Sequence, residues 1–177
     1  MMKKSIRILI LSFLFLQGCG YELVTGPGLP IGAVSTTAGA LSTPITSLNL
    51  PVFKNQSFEP QVPMFFTEAF SQELAASGLV QINKPGADAT LQGTVTRVST
   101  ILSALSGQGL ATQKTVTVFI ALTLSQHGNV LKSWTFGDSE AYDVTSINSE
   151  EFNKRAAIIR LAQRIARIFH SQLVPPP

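Results

Sequence analysis

Thr115-Val-Thr-Val-Phe-Ile-Ala-Leu-Thr-Leu124 repeats with a period of two. Val116, Val118, Ile120, Leu122 and Leu124 fall on one side, and Thr115, Thr117 and Thr123 on the other. That alternation specifies a half-buried strand, since a helix would need apolar residues three and four apart. Downstream, His127-Gly128-Asn129 forms a tight turn into a second strand at 130–136. Upstream, Ala89, Leu91 and Val95 share one parity within 87–98, where Gly93 marks a bulge or close packing. The span 102–113, with Gly107 and Gly109, is expected to be a flexible loop between these strands. A first strand is expected at 47–53, where Leu48, Leu50 and Val52 alternate. Pro51 has no N–H, so one side of that strand lacks a hydrogen-bonded neighbour there.

Two stretches carry the helical period instead. Within 60–77, Phe66, Phe70 and Leu74 recur at four-residue spacing with Val62 and Ala69 beside them, and Gly78 supplies a C-terminal stop. Pro60 and Pro63 restrict themselves to its first turn. Within 149–173, Ile158, Leu161, Ala162, Ile165, Ile168 and Phe169 occupy one arc, and Ser149, Glu150 and Glu151 suit an N-terminus. Arg160, Arg164 and Arg167 lie on the opposite arc and are expected to be a solvated face. The order β-α-β-β-β-α implies an α+β fold: a two-layer α/β sandwich, with a four-stranded sheet covered on one face by two helices. The uncovered face would be rich in Thr and Ser yet nearly uncharged.

Charge narrows the function. The chain of 177 residues has 13 Lys+Arg against 10 Asp+Glu, for a formal +3. Lys3, Lys4 and Arg7 account for that whole excess, so the remainder is neutral. Charged residues are 13% of the chain, about half the usual share. A neutral body lacks the cationic footprint that phosphate contacts demand, which argues against nucleic acid as a partner. No 18-residue apolar run follows the N-terminus, so a polytopic membrane protein is excluded.

The basic start, the apolar run 8–16 and a small residue before Cys19 form an export signal. Leu16-Gln17-Gly18-Cys19 resembles the lipobox of bacterial lipoproteins, in which the cysteine is acylated and becomes the mature N-terminus. The alternative is an ordinary signal peptide with an incidental cysteine; a lone free thiol would be odd in an exported protein. Several acyl chains on one cysteine give stable anchoring. Gly20 in place of Asp after the cysteine implies sorting to the outer membrane, as in Gram-negative lipoproteins of this type. The expected organisation is a signal at 1–18, a lipidated, Gly/Pro/Ser/Thr-rich tether at 19–44, one domain at 45–174 and a proline tail at 175–177.

Chemistry-bearing motifs are missing. There is no phosphate-binding glycine loop, Cys-x-x-Cys pair, His-Glu-x-x-His helix or Gly-x-Ser-x-Gly elbow. His127 and His170 have no ligand partners in local sequence. Asp138, Glu140 and Asp143 are expected in a solvated loop after a strand, with spacing wrong for calcium. No catalytic residues, metal or cofactor are therefore assigned.

Leu48-Asn-Leu-Pro-Val-Phe-Lys-Asn-Gln-Ser-Phe-Glu-Pro60 resembles the start of LptE-type lipopolysaccharide-assembly lipoproteins, as does Cys19-Gly20-Tyr21-Glu22-Leu23. Ala87-Asp88-Ala89-Thr90-Leu91-Gln92-Gly93 resembles the second strand of that family, and the last helix has its place and length. The resemblance implies a partner, an LptD-type outer-membrane β-barrel whose lumen the protein plugs and whose assembly it assists. It also implies a role in inserting lipopolysaccharide into the outer leaflet, and contact with lipopolysaccharide. Some members of the family meet lipid A phosphates through basic side chains at strand ends. Here 102–113 has no Lys or Arg, leaving Arg97 before it and Lys114 after it as the candidate contacts. The rival class is a periplasmic adaptor resembling the LpoB- or CsgG-associated lipoproteins, which also pair a lipidated N-terminus with a Val-Phe-x-Asn strand and a helix. That class activates a peptidoglycan synthase or builds a secretion pore.

Overall fold

The computed structural model describes residues 45–144 and 146–173. The signal, Cys19, the tether and the 175–177 tail lie outside the described residues. Within them the chain runs β1 (Ser47–Asn49), β2 (Lys54–Asn55), α1 (Val62–Ser77), β3 (Gln81–Ile82), β4 (Ala89–Leu105), β5 (Ala111–Gln126), β6 (Asn129–Asp143) and α2 (Ile147–Leu173). The α+β class and the two helices on one sheet agree with the sequence. The sheet, however, has six strands where four were expected, in the order β3-β1-β4-β5-β6 with β2 also on β4.

Two local effects make the difference. The first strand is broken: β1 pairs in parallel with β4 at Leu48↔Ala89, and β2 resumes on β4 at Lys54↔Thr94. Residues 50–53 carry one residue more than the β4 segment opposite, and Pro51 has no amide to offer the ladder. Side chains satisfy the displaced amides: Leu50 N–H donates to Asn83 Oδ1 (2.7 Å) and Phe53 N–H donates to Thr67 Oγ1 (2.9 Å). The second effect is Gln81-Ile82, which pairs in parallel on the outer side of β1 and is too short to show a period in sequence.

The three long strands form the body of the sheet. Val116, Val118, Ile120, Leu122 and Leu124 are all buried, as their parity requires. Beside them Leu91 and Val95 of β4 and Trp134 and Phe136 of β6 complete the helix-covered face. Phe169 of α2 joins the layers: its ring lies 5.3 Å from Phe70 of α1, 5.0 Å from Trp134 and 6.3 Å from Phe136. Tilted and edge-on contacts of this kind add to the burial of the rings themselves. Gly93 is the close-packing site, since a Cβ there would sit 2.4 Å from the Phe53 ring; the bulge lies further on, between Val95 and Arg97.

The connections follow from local chemistry. His127 (φ 50°) and Gly128 (φ 82°) form the two-residue turn between β5 and β6, with the left-handed backbone that matches strand twist. Gly78 (φ 66°) ends α1. α2 starts two residues before the expected Ser149, because Ser146 and Ser149 cap reciprocally: Ser149 N–H donates to Ser146 Oγ (3.2 Å) and Ser146 N–H to Ser149 Oγ (2.8 Å). The expected flexible loop at 102–113 is another correction. β4 runs through Leu105 and β5 begins at Ala111, leaving a short turn at 106–110. Glycine content was misleading there, because the cross-strand ladder continues through Leu102↔Lys114 and Ala104↔Gln113 on both flanks.

Candidate functional site

Pairing register places every side chain of the long strands on one of two faces. On the face away from the helices lie Thr90, Gln92, Thr94 and Ser99 of β4, Thr115, Thr117, Thr123 and Ser125 of β5, and Ser133, Thr135 and Ser139 of β6. Neighbouring hydroxyls satisfy one another, as at Thr117–Ser139 (2.8 Å). Phe119 also lies there, over Gly137, where a Cβ would meet its ring at 2.5 Å. This surface is an open, hydroxyl-rich sheet.

Arg97 stands on that face, paired in register with Phe119 beyond the bulge, and its side chain is exposed. Lys54 shares the face, since β2 pairs it with Thr94. Neither cation has an ion-pair partner among the described residues. Lys54 lies just past the first strand expected at 47–53, where the ladder on β4 is broken and resumes. Its signal was the parity of Leu48, Leu50 and Val52, which the extra residue at 50–53 shifts by one.

Lys114 lies elsewhere. Its cross-strand partner is Tyr142, which is buried on the helix side, so Lys114 and Arg97 occupy opposite faces. Lys114 Nζ donates to Glu150 Oε1 at 2.5 Å. That hydrogen bond holds the Lys114 ammonium above the usual lysine range, against a smaller opposing effect of burial. The structure therefore does not bring the two candidate cations together.

The acidic run is also placed differently from expectation. Asp138 and Glu140 belong to β6 and face α2, so they are not in a solvated loop. Arg164 Nε donates to Asp138 Oδ2 (2.5 Å), Nη1 to Glu140 Oε2 (3.0 Å) and Nη2 to the Ser139 carbonyl (3.1 Å). Arg160 Nε donates to Glu140 Oε1 (2.8 Å). Two of the three arginines expected to be solvated are thus engaged with the sheet, and Arg167 alone of them is exposed without such a pair. Burial pushes the Glu140 carboxyl up, and hydrogen bonds from Arg160 and Arg164 outweigh it, leaving the group below its usual range. Asp138 raises the Arg164 guanidinium further above an already high value. This cluster, buried at Asp138 and open to water at Arg160, ties α2 to β6.

At the start of the domain, Asp88 Oδ2 accepts hydrogen bonds from Thr46 Oγ1 (2.8 Å), Thr46 N–H (3.0 Å) and Ser47 N–H (3.0 Å). These bonds, the Thr46 hydroxyl foremost, hold its carboxyl at about 2. Asp88 therefore fixes the point where the chain enters β1. Cys19 lies outside the described residues. Among the described residues no group of three His, Cys, Asp or Glu side chains could hold a metal ion, and no helix is long and apolar enough to cross a membrane.

No curated protein matches the sequence. Solved structures share the fold at low identity. A single-substitution PelC dodecamer from Paraburkholderia phytofirmans has a TM-score of 0.51 at 16% identity, covering 77% of this chain and 93% of that one. The rare lipoprotein B from Shewanella oneidensis has a TM-score of 0.50 at 13% identity, covering 68% and 92%. The hypothetical protein CT253 from Chlamydia trachomatis has a TM-score of 0.51 at 9% identity, covering 73% and 95%. The LptE lipopolysaccharide-assembly family matches residues 45–173, the whole of the sandwich from the entry to β1 through the end of α2, and the chain belongs to that family.

Proposed function

We propose that this protein is a lipid-anchored component of the outer membrane that plugs an LptD-type β-barrel and helps it assemble. In that role it supports insertion of lipopolysaccharide into the outer leaflet. Acyl chains on Cys19 are the proposed anchor, on the periplasmic side or with the domain inside the barrel lumen. Its action is binding and packing, with no catalytic step. Besides family membership, the observation that carries this reading is the open face of β4, β5 and β6, which is crowded with hydroxyls and almost free of charge. Large outer-membrane barrels have polar interiors that a plug can fill. An unpaired charge buried against such a wall would be costly, whereas hydroxyls and amides can exchange water for wall partners. Arg97 and Lys114 are the proposed lipopolysaccharide contacts, and Lys54 joins Arg97 on its face. Guanidinium and ammonium groups suit lipid A phosphates through charge-assisted hydrogen bonds. Lys114 would have to exchange Glu150 for the phosphate.

The test is recovery of partners from outer membranes solubilised in detergent with a tagged form of the chain. A large β-barrel is expected to co-purify. Recovery of a peptidoglycan synthase without a barrel would overturn the proposal in favour of the adaptor class.

A further inference from the structure

Two of the long strands have an edge with no neighbouring strand among the described residues, and the two edges are built differently. The edge of β6 is blunted. Lys132, Asp138, Glu140 and Asp143 lie along it, and Asp138 and Glu140 turn in towards Arg164 and Arg160 of α2, which packs over the strand. Inward charges and a covering helix are common protections of a free edge. The other edge is β4 past Val95. β1 and β2 pair with β4 at Ala89–Thr90 and Thr94–Val95, and Gln56 N–H closes that lane on the Val95 carbonyl (2.8 Å). From Arg97 to Leu102 the ladder to β5 is regular on one side, while no strand lies on the other. Alternate residues there turn N–H and C=O outward. Residues 98–113 contain no charged side chain. Thr100 and Leu102 fall on the helix face by register yet are exposed, so the helices do not cover this stretch.

We propose that this edge pairs with the same edge of a second copy, antiparallel about a twofold axis at Thr100, so that two sheets join into one. In that register Val98 faces Leu102 of the second copy on the helix side, Ser99 faces its Ile101 on the open side, and the two Thr100 side chains meet. Apolar and Thr–Thr cross-strand pairs are favourable neighbours, and an isologous contact of this kind closes on itself. No like charges are opposed: Arg97 comes opposite Ser103, about 20 Å along the strand from the other Arg97. The register also fits the irregularities of β4. Residues 104 and 105 would come opposite Thr96 and Val95, where β2 of the second copy fills the lane, and the register shifts at Leu102/Ala104 and Ala104/Leu105 bend the strand at that point. Leu105 (56% exposed) is thereby directed to the segment that leaves β2, where Phe58 is 105% exposed. Ile101 (62%) and Leu102 (51%) are covered by the pairing itself. Together these contacts bury on the order of 1,000 Å², the size that a specific interface has to clear.

Other occupants fit this edge less well. A closed barrel wall has no free strand edge to offer, so the lumen proposed above can surround the side chains but leaves the β4 backbone without a strand. The joined form is then the state of the chain before it enters a barrel; the pairing itself does not depend on that reading. The residues preceding the domain are held at Thr46 by Asp88, about 30 Å of β4 away from Arg97. A strand drawn from them would come from before residue ~37, where Pro27 and Pro30 have no amides to pair.

The test is sedimentation equilibrium of the mature chain from residue 19, carrying Cys19→Ala so that neither acyl chains nor a native thiol can join copies. A dimer is expected at micromolar concentration. Ser99→Lys with Ile101→Lys opposes like charges twice and should raise the dissociation constant at least tenfold. Ser99→Glu with Ile101→Lys turns both contacts into opposite-charge pairs and should return it to within threefold of the parent, with one circular dichroism spectrum throughout. Thr100→Cys should oxidise to a disulfide-linked dimer, and Thr135→Cys on the β6 edge should not. A parent chain that stays monomeric up to about 100 μM overturns the proposal, including one that pairs only when a barrel protein is added. So does a dimer that Ser99→Lys with Ile101→Lys leaves intact, one that the opposite-charge combination fails to restore, or cross-linking at 135 equal to that at 100.

Discussion

Asp138 of β6 and Arg164 of α2 meet at 2.5 Å on the covered side of the sheet, the carboxylate 8% exposed and the guanidinium 35%. A charge on this face, among Val118, Phe136 and Leu161, is tolerable only because its partner and the Ser139 amide (2.7 Å) satisfy it. Arg164→Ala strands Asp138 beside the core. The expected loss is about 2–3 kcal/mol in urea unfolding, below the ~3–5 of a fully buried pair because water reaches Arg164. Replacing both, Asp138→Leu with Arg164→Leu, should recover stability to within ~1 kcal/mol of the parent. A double variant as unstable as Arg164→Ala would mean that the cluster does more than cancel its own desolvation.

That pair also shows where the sequence was opaque. The apolar arc of α2 and the parity of β5 were legible because periodicity reports burial directly. Asp138 and Glu140 broke the alternation of β6, so the strand seemed to stop at Phe136, and the arginines that complement them were 20 or more residues away. Complementary charges distant in sequence leave no periodic signature. The same holds for Lys54, whose face was set by one extra residue and by a proline without an amide. The hairpin end was misread for a different reason: Gly107 and Gly109 indicate flexibility, whereas strand pairing extends to Leu105↔Ala111.

Gly93→Ala should be strongly disruptive. The added methyl would meet the Phe53 ring at 2.4 Å, and Phe53 is itself buried against Phe70 at 5.2 Å. Overpacking of this kind costs about 1–3 kcal/mol, and Phe53→Leu in the same chain should return part of it. Gly137→Ala makes a similar clash with Phe119, but that ring is only partly buried on the open face and can swing aside. The urea midpoint of the Gly137 variant should therefore fall less than that of the Gly93 variant.

Asp88 predicts an acid limb in stability. Its carboxyl is held at about 2 in the folded chain against an ordinary 3.8. A depressed folded value contributes stability that is complete above the unfolded value and lost as pH falls through the folded one. The contribution should therefore be full above about pH 4 and disappear towards pH 2. Because other carboxylates titrate nearby, the readout is the difference in unfolding midpoint between parent and Asp88→Asn. That difference should narrow as the pH is lowered from 5 to 2. A constant difference would show that the Thr46 and Ser47 bonds do not depend on the charge.

Arg97 and Lys114 should separate when lipopolysaccharide is offered to the purified protein. Arg97 is exposed on the same open face as Lys54 and has no acidic partner among the described residues, so its charge is available without breaking anything. Lys114 is already committed to Glu150. Arg97→Glu is expected to weaken co-sedimentation with lipopolysaccharide at least tenfold, and Lys54→Glu added to it more, with the urea midpoint unchanged. Lys114→Ala should weaken binding less and lower the midpoint slightly, because it also removes a tie between β5 and α2. Glu150→Gln frees the ammonium and should strengthen binding if Lys114 reaches phosphate. Binding that ignores Arg97→Glu but follows Glu150→Gln would move the phosphate contact to the helix face. A salt dependence confined to the Arg97 variant series would keep it on the open face, where a few placed cations must act because the domain as a whole offers no cationic field.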